Sequence, residues 1–248
     1  YHIFHQYAPE GLFGPRGLGH VSTRDFCTYH NVGMVLFPDT SFDRNGAYSG
    51  SALTDDGQLE LFYTGNVRHS GDHDYITSGR EQNLIHTIRL PGGRFSEKKL
   101  LMTNRDYPEN CSCHVRDPKV WKENGRYKMV LGARTLDNRG EALVYDSGDK
   151  EHWTLEQVLT LPNTGYMWEC PDLFSLGEKT FLCCCPQGME PRGMEFHNIY
   201  QSGYFPLEQG KLLPFTEFDR GFDFYAPQTF QDDNGRRILI GWFGLPDV

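Results

Sequence analysis

The chain has 248 residues, of which 14% are aromatic and 27 are glycine, and its formal net charge is −9. This length supports one large domain or two small ones, and aromatics and glycines without long apolar runs favour an all-β protein. The negative charge argues against nucleic acid, because a phosphate-binding surface needs a basic excess. No apolar run approaches the roughly 18 residues of a membrane helix, so neither nucleic acid nor membrane is an expected partner.

A repeated unit organises the chain. Each copy has a short strand, a polar turn containing glycine, and an apolar strand, which is the pattern of a β-hairpin. The copies span residues 50–65, 117–132, 170–185 and 226–241. They start about 53 to 67 residues apart, which leaves room for a four-stranded sheet in each, and strand-only repeats of this period predict a β-propeller. A β-sandwich with chance similarity is the alternative fold.

Further strands are predicted between the copies. Residues 84–90 and 141–145 have the pattern of third strands, and residues 152–159 suit an outer strand. Residues 1–6 correspond to the second strand of a copy, since they match residues 127–132. We therefore expect the chain to be a fragment that opens inside a first copy and stops after the second strand of the fourth.

The residue just before each copy holds an equivalent place in the repeat. Blades direct their innermost strands at a central channel, so these positions are expected to converge there; they are Ser49, Arg116, Glu169 and Tyr225. Asp117 follows Arg116, which would bring two carboxylates and an arginine together. Such a set suits acid/base chemistry on a polar, uncharged substrate such as a sugar.

Glu169 is the strongest candidate for an acid. It lies between Trp168 and Cys170-Pro171, and apolar neighbours penalise the charged form of a carboxylate, so it can hold a proton near neutral pH. The alternative is a strand-edge glutamate that faces water, as most glutamates do. Trp168, Tyr48 and Tyr225 would supply flat apolar surfaces for sugar rings.

The seven cysteines are interpreted as reduced thiols. Three are consecutive, Cys183 to Cys185, and neighbours on a strand point to opposite faces, which is unsuitable for a disulfide framework. Reduced thiols favour a cytoplasmic protein. His69 with His73, and residues 111–114, have spacings that could hold a metal, but neither has a supporting cluster. No metal or cofactor is therefore expected.

Three motifs resemble those of glycoside hydrolase family 32, the β-fructofuranosidases. They are Arg116-Asp117-Pro118, Trp168-Glu169-Cys170-Pro171 and the stretch 222–228, Phe-Asp-Phe-Tyr-Ala-Pro-Gln. The likeness runs along the whole chain. It implies that residues 1–248 are one partial catalytic domain, a five-bladed β-propeller incomplete at both ends, with the C-terminal β-sandwich of the family absent.

The resemblance also implies a retaining mechanism that hydrolyses the terminal fructosyl bond of sucrose, sucrose 6-phosphate or fructo-oligosaccharides. By that likeness Glu169 is the general acid/base and Asp117 stabilises the transition state. Arg116 and Tyr225 match supporting positions in the substrate site. Gln6, Tyr48 and Ser49 match sugar-contacting positions of the family. Trp168 is expected to bind the substrate as well. The sequence leaves the oligomeric state open.

Two departures from the family pattern affect the expected activity. The Asn-Asp-Pro-Asn-Gly motif that carries the family's nucleophile does not occur in the sequence, so the chain by itself is expected to be inactive. Leu18 stands where the family has a tryptophan lining the fructose pocket. The alternative functions are a non-catalytic sugar-binding propeller and a five-bladed glycosidase acting on arabinose or xylose polymers.

Overall fold

The structure is a computed structural model that describes residues 1–8, 14–221 and 223–244. Eighteen strands account for the regular secondary structure in these ranges, which confirms the all-β prediction. Nowhere in them does a helix reach the length and apolar character needed to cross a membrane. Phe222, which belongs to the last predicted motif, lies outside the described residues.

The strands are grouped into five sheets. The first has the order β1-β2-β3 and contains β1 (His2–Tyr7), β2 (Gly17–Thr23) and β3 (Tyr29–Leu36). The second has the order β4-β5-β6-β7 and contains β4 (Ala47–Asp55), β5 (Gln58–Arg68), β6 (Arg80–Ile88) and β7 (Lys99–Met102). The third has the order β11-β10-β9-β8 and contains β8 (Cys111–Glu123), β9 (Arg126–Thr135), β10 (Gly140–Ser147) and β11 (Thr154–Leu159).

The last two sheets follow the same rule that consecutive strands pair. The fourth contains β12 (Met167–Leu176), β13 (Lys179–Gln187), β14 (Gly203–Glu208) and β15 (Lys211–Leu212), with β16 (Thr216–Glu217) paired to β14. The fifth contains β17 (Phe224–Gln231) and β18 (Arg237–Phe243). The predicted third strands are confirmed in β6 and β10, and the predicted outer strand is β11.

Each of the first four sheets has at least three strands and forms a blade, whereas β17 and β18 form a single hairpin. The described residues therefore show four blades rather than the predicted five. The physical reason is that one hairpin supplies only two of the four strands of a propeller blade.

Contacts within the chain define two compact units. Unit 1 comprises Tyr1–Glu109 and Arg116–Trp121, and unit 2 comprises Asn110–Val115 and Lys122–Val248. In both units the middle strands are buried along nearly their whole length, as in β5, β6 and β10. Continuous burial of this kind means that both faces of a sheet are covered.

The hairpin turns of the repeat have the predicted chemistry. Asp56 and Gly57 both have positive φ, 47° and 77°, and Asn124 and Gly125 have 50° and 77°. Two consecutive residues of positive φ are what a type I′ turn requires, and Asp-Gly and Asn-Gly adopt it at low cost. These turns fix the register of the hairpins β4–β5 and β8–β9.

A buried ionic cluster lies in unit 1. The Asp43 side chain is fully buried, and its carboxylate accepts hydrogen bonds from Tyr63 Oη at 2.8 Å and from the Thr40 amide at 2.8 Å. Lys98 Nζ lies 2.7 Å from the same carboxylate, and its side chain is 7% exposed. Burial, followed by the charge of Asp43, raises the pKa of Tyr63 far above its ordinary value, so its hydroxyl remains a donor.

Asp43→Ala is expected to lower the free energy of unfolding by about 3 kcal/mol, because it removes the buried carboxylate that faces Lys98 and the acceptor of Tyr63. Urea denaturation of the wild-type and variant proteins measures this difference. Glu195→Ala is the matched control, since its side chain is 39% exposed and its partners Arg192 and Arg220 are more than half exposed, so these ion pairs contribute little. Equal effects of the two substitutions would contradict the assignment.

Two histidines share a hydrogen bond between β1 and β2. His2 Nδ1 lies 2.9 Å from His20 Nε2, so one ring donates while the other accepts. Phe4 stacks on His20 with ring centroids 4.6 Å apart. Burial lowers the pKa of His20 to about 4, and the positive charges of His2 and Arg89 act in the same direction.

The unfolded chain, with an ordinary histidine pKa of about 6.5, takes up a proton before the folded chain does as the pH falls. The contribution of His20 to stability is therefore complete above about pH 6.5 and is lost as the pH falls towards about 4. His20→Phe keeps the ring and removes the titration, so its free energy of unfolding is expected to decline less steeply in this window. Denaturant titrations at several pH values compare the two slopes, and identical slopes would refute the prediction.

Candidate active site

The first strands of three repeats share a β-bulge. The pairing register breaks between Tyr48 and Gly50 in β4, between Glu169 and Asp172 in β12, and between Tyr225 and Gln228 in β17. A bulge bends its strand and redirects the side chains beside it, and bulges are common next to active sites. Among the predicted positions, Ser49 is the residue that the pairing of β4 skips, and Glu169 and Tyr225 are the last paired residues before the bulges of β12 and β17.

The first residue of the second, third and fourth copies of the repeat has a left-handed backbone, although none of the three is glycine. Asp117 has φ of 62°, and Cys170 and Ala226 both have φ of 50°. Each precedes a proline, which adds a further steric restriction. Such a conformation costs about 1 to 3 kcal/mol and persists where the surroundings fix it, often at functional sites. The strain thus marks the residues that follow Arg116, Glu169 and Tyr225.

Glu169 and Tyr225 are in contact within unit 2. The hydroxyl of Tyr225 donates a hydrogen bond to Oε2 of Glu169, and Tyr225 is 6% exposed. Burial, together with the negative charge of Glu169, raises the pKa of Tyr225 well above its ordinary value. Tyr225 therefore keeps its proton and can donate to the carboxylate over the physiological pH range.

A small group of thiols and aromatic rings surrounds this hydrogen bond. Cys170 and Cys185 are buried against Tyr225, with Tyr200 packed at the edge. The rings of Tyr200 and Tyr225 have centroids 5.9 Å apart. All seven cysteines are free thiols, and Cys183 to Cys185 lie in the buried part of β13. The pKa of Cys184 is well above its ordinary value because of burial, followed by the neighbouring thiols.

Trp168 does not have the predicted exposure. Its side chain is 0% exposed, its Nε1 donates to the Thr164 carbonyl at 2.8 Å, and its ring packs on Phe205 at 4.8 Å. A Cβ added at Gly132 would lie 1.9 Å from the Trp168 carbonyl oxygen, so β9 approaches this residue closely. The structure places Trp168 in the core, and the expected role as a surface for sugar rings is corrected on this ground.

The residue pair Arg116 and Asp117 belongs to unit 1. Arg116 Nε lies 3.9 Å from Asp117 Oδ2, and both side chains are less than 10% exposed. Arg116 Nη1 donates to Gln82 Oε1 at 3.4 Å, and the Asp117 amide donates to Thr64 Oγ1 at 2.9 Å. Opposite charges attract more strongly in a buried site than at the surface. Gln82 and Thr64 were not predicted as site residues. They lie on β6 and β5, far in the sequence from the residues they contact, Arg116 and Asp117.

Gln6 and Ser49 meet in the same unit. Gln6 Nε2 donates to Ser49 Oγ at 3.3 Å, and both side chains are half-buried. Tyr48, also half-buried, pairs with Thr64 across the ladder between β4 and β5. Leu18 pairs with Gln6 and is 5% exposed within an apolar core. Leu18 is therefore a core residue of unit 1.

Gln228 and Thr229 in β17 are further site residues that were not predicted. Gln228 Nε2 donates to the carbonyl of Cys170 at 2.8 Å. The amide and hydroxyl of Thr229 donate to Asp172 Oδ2 at 2.6 and 2.7 Å. One feature of the sequence could have indicated Gln228. Three copies of the repeat have a polar residue at their third position, and these residues are Lys119, Asp172 and Gln228.

Comparison with known proteins decides the family. Residues 1–248 match the model of the Glycosyl hydrolases family 32 N-terminal domain. The chain belongs to glycoside hydrolase family 32. This confirms the resemblance carried by the three sequence motifs.

Relatives within family 32 agree with the match. The chain is 42% identical to sucrose-6-phosphate hydrolase of Bacillus subtilis (strain 168), covering 100% of the chain and 52% of that protein. It is 40% identical to sucrose-6-phosphate hydrolase of Klebsiella pneumoniae, covering 100% of the chain and 54% of that protein. The chain thus spans about half the length of the curated relatives it matches.

Solved family 32 structures confirm the propeller class. Sucrose-6-phosphate hydrolase from Lactobacillus gasseri superposes with a TM-score of 0.87 at 32% identity, over 100% of the chain and 52% of that structure. The β-fructofuranosidase BmSUC1 of Bombyx mori gives a TM-score of 0.85 at 35% identity, over 100% of the chain and 53% of that structure. The fold is an all-β propeller.

Gly132→Ala is expected to destabilise the protein by about 1 to 3 kcal/mol, because the added methyl group overlaps the Trp168 carbonyl and forces β9 away from β12. Gly148→Ala is the control, since its Cβ would meet only Arg126 Nη1 at 3.5 Å, an ordinary contact. Thermal unfolding of both variants measures the effect. A Gly132→Ala protein as stable as the control would show that the close approach does not constrain β12.

Proposed function

We propose that the full-length protein is a retaining β-fructofuranosidase that hydrolyses the terminal fructosyl bond of sucrose, sucrose 6-phosphate or fructo-oligosaccharides. The observation that carries the proposal is a carboxylate, Glu169, held at a strained bulge by the hydroxyl of buried Tyr225 in a family 32 chain. The relatives named sucrose-6-phosphate hydrolase, and a mutant of BmSUC1 solved in complex with sucrose, support this substrate class.

Glu169 is proposed as the general acid/base. In the first step its carboxyl group protonates the glycosidic oxygen of the leaving sugar, and in the second its carboxylate takes a proton from water. The Tyr225 hydroxyl orients the carboxylate and stabilises its ionised form, which is the form that the second step requires. The retaining mechanism also needs a carboxylate nucleophile, for which no residue among 1–248 is proposed.

Asp117 is proposed to stabilise the transition state. Positive charge develops on the fructose ring as the glycosidic bond breaks, and a buried carboxylate beside the ring would offset it while accepting hydrogen bonds from sugar hydroxyls. Arg116 would keep Asp117 oriented. Gln6, Tyr48 and Ser49 are proposed to contact the sugar.

We propose residues 1–248 as one partial catalytic domain. We propose the β17–β18 hairpin as the inner half of a fifth blade, since it has the bulge and the turn of the other repeats. A cytoplasmic location is proposed from the seven free thiols, because thiols remain reduced in that compartment.

Glu169→Gln in the full-length protein is expected to reduce kcat for sucrose by at least about 100-fold, because the amide cannot donate the required proton. Binding of sucrose should change less than about threefold, since the amide keeps the shape of the side chain. Fructose release and calorimetric binding measure the two quantities. Glu178→Gln, in the exposed turn between β12 and β13, is the control, and turnover retained in Glu169→Gln would remove Glu169 as the acid.

A further inference from the structure

The bulge in β12 depends on a donor from another strand. The ladder with β13 is interrupted from Glu169 to Asp172, so Cys170 and Pro171 lie together opposite a single residue. Their carbonyl oxygens accept hydrogen bonds from Nε2 of Gln228, at 2.8 and 3.5 Å. Both residues are buried, where a carbonyl without a donor is costly. The amide of Gln228 therefore takes the place of ladder hydrogen bonds at the bulge.

The conformation held in this way is disfavoured by the local sequence. Cys170 has φ of 50°, a region in which its Cβ crowds the backbone, and Pro171 restricts it further. Glu169 directly precedes Cys170, so any relaxation of the Cys170 dihedral angles moves the backbone that carries the carboxylate. Fixing the bulge therefore fixes the direction of Glu169.

Gln228 lies at the end of a second bulge. In β17 the register breaks between Tyr225 and Gln228, and Ala226 also has φ of 50°. Tyr225 lies at one end of this bulge and donates to the carboxylate of Glu169. Gln228 lies at the other end and donates to the carbonyl of Cys170, the residue that follows Glu169. The bulges of β12 and β17 are thus joined by hydrogen bonds at two positions, one to the Glu169 carboxylate and one to the Cys170 carbonyl.

The neighbouring residue extends this set of hydrogen bonds. The amide and hydroxyl of Thr229 both donate to Oδ2 of Asp172, which is 1% exposed. Contacts from Tyr225, Gln228 and Thr229 therefore follow β12 from Glu169 to Asp172. The distance between the Glu169 carboxylate and the Tyr225 hydroxyl is set by this alignment of the strands.

We propose that Gln228 is a positioning residue for the acid/base Glu169, acting through the carbonyls of Cys170 and Pro171. This inference rests on the proposed function. Gln228 keeps the bulge of β12 in its left-handed form, which holds the Glu169 carboxylate within reach of Tyr225.

Gln228→Met in the full-length protein tests the proposal, because methionine keeps the length of the side chain and removes its donor. We expect kcat for sucrose to fall about 10- to 100-fold while KM changes less than about threefold. The basic limb of the kcat/KM profile should move to higher pH, since a carboxylate that loses a hydrogen bond to its charged form binds its proton more tightly. Gln231→Met on the same strand, where the side chain is exposed and donates to the Gly235 carbonyl, should leave all three quantities unchanged.

Gln228→Glu is the second variant. An ionised carboxylate facing two carbonyl oxygens repels them, whereas a protonated carboxyl group can donate as the amide does. Burial and the two facing carbonyl oxygens both disfavour the charged form, so they raise the pKa of this carboxyl group above the ordinary glutamate value of about 4.3. Its kcat relative to wild type should therefore be as low as that of Gln228→Met at about pH 8 and should recover as the pH falls to about 5 and below. Gln228→Glu also provides the test if the methionine variant does not fold. Absence of recovery in a folded Gln228→Glu protein would overturn the proposal.

Hydrogen exchange at the amides of Glu169, Cys170 and Asp172 separates this proposal from the proposed function. Faster exchange in Gln228→Met than in Gln231→Met supports this role of Gln228, even in a wild-type protein that releases no fructose. In that case the proposed hydrolase function fails, but the proposal that Gln228 holds the backbone beside Glu169 in place is still supported. Unchanged exchange together with an unchanged kcat and pH profile would refute the role of Gln228.

Discussion

The hydrogen bonds between β17 and the bulge of β12 are the constraint on which the candidate active site of unit 2 depends. A left-handed cysteine before a proline is unfavourable by itself, so β12 cannot hold this shape on the strength of its own sequence. The donors that stabilise it, Gln228 and Thr229, come from more than fifty residues further along the chain. The geometry around Glu169 therefore forms only when the two strands are folded together.

Local features of the fold were predictable because their causes lie within a few residues. Asp56-Gly57 and Asn124-Gly125 form the expected turns, since positive φ at two consecutive residues is a property of the turn itself. Repetition of these turns between apolar strands was sufficient to predict the propeller class. The number of blades was not predictable in this way: it depends on how many strands join each sheet, and β17 and β18 form a sheet of two.

The sequence indicated Glu169 and Tyr225 as candidates, but it did not indicate the residues that contact the strand beside Glu169. Glu169 and Tyr225 stand at equivalent positions of the repeat, and the structure brings them into contact. Trp168 was misjudged because its burial is decided by Gly132 and Phe205, which approach from other strands. Gln228 was not predicted for the same reason, since its hydrogen-bond acceptor, the Cys170 carbonyl, lies on another strand 58 residues earlier in the chain.

The distribution of thiols has a practical consequence. Cys27 is exposed, Cys111 is half-buried, and the other five are buried. Burial also raises the pKa of Cys111 to about 12, so this thiol holds little of the reactive thiolate at neutral pH. Among the seven cysteines of residues 1–248, a maleimide dye would consequently attach at Cys27, in the loop between β2 and β3.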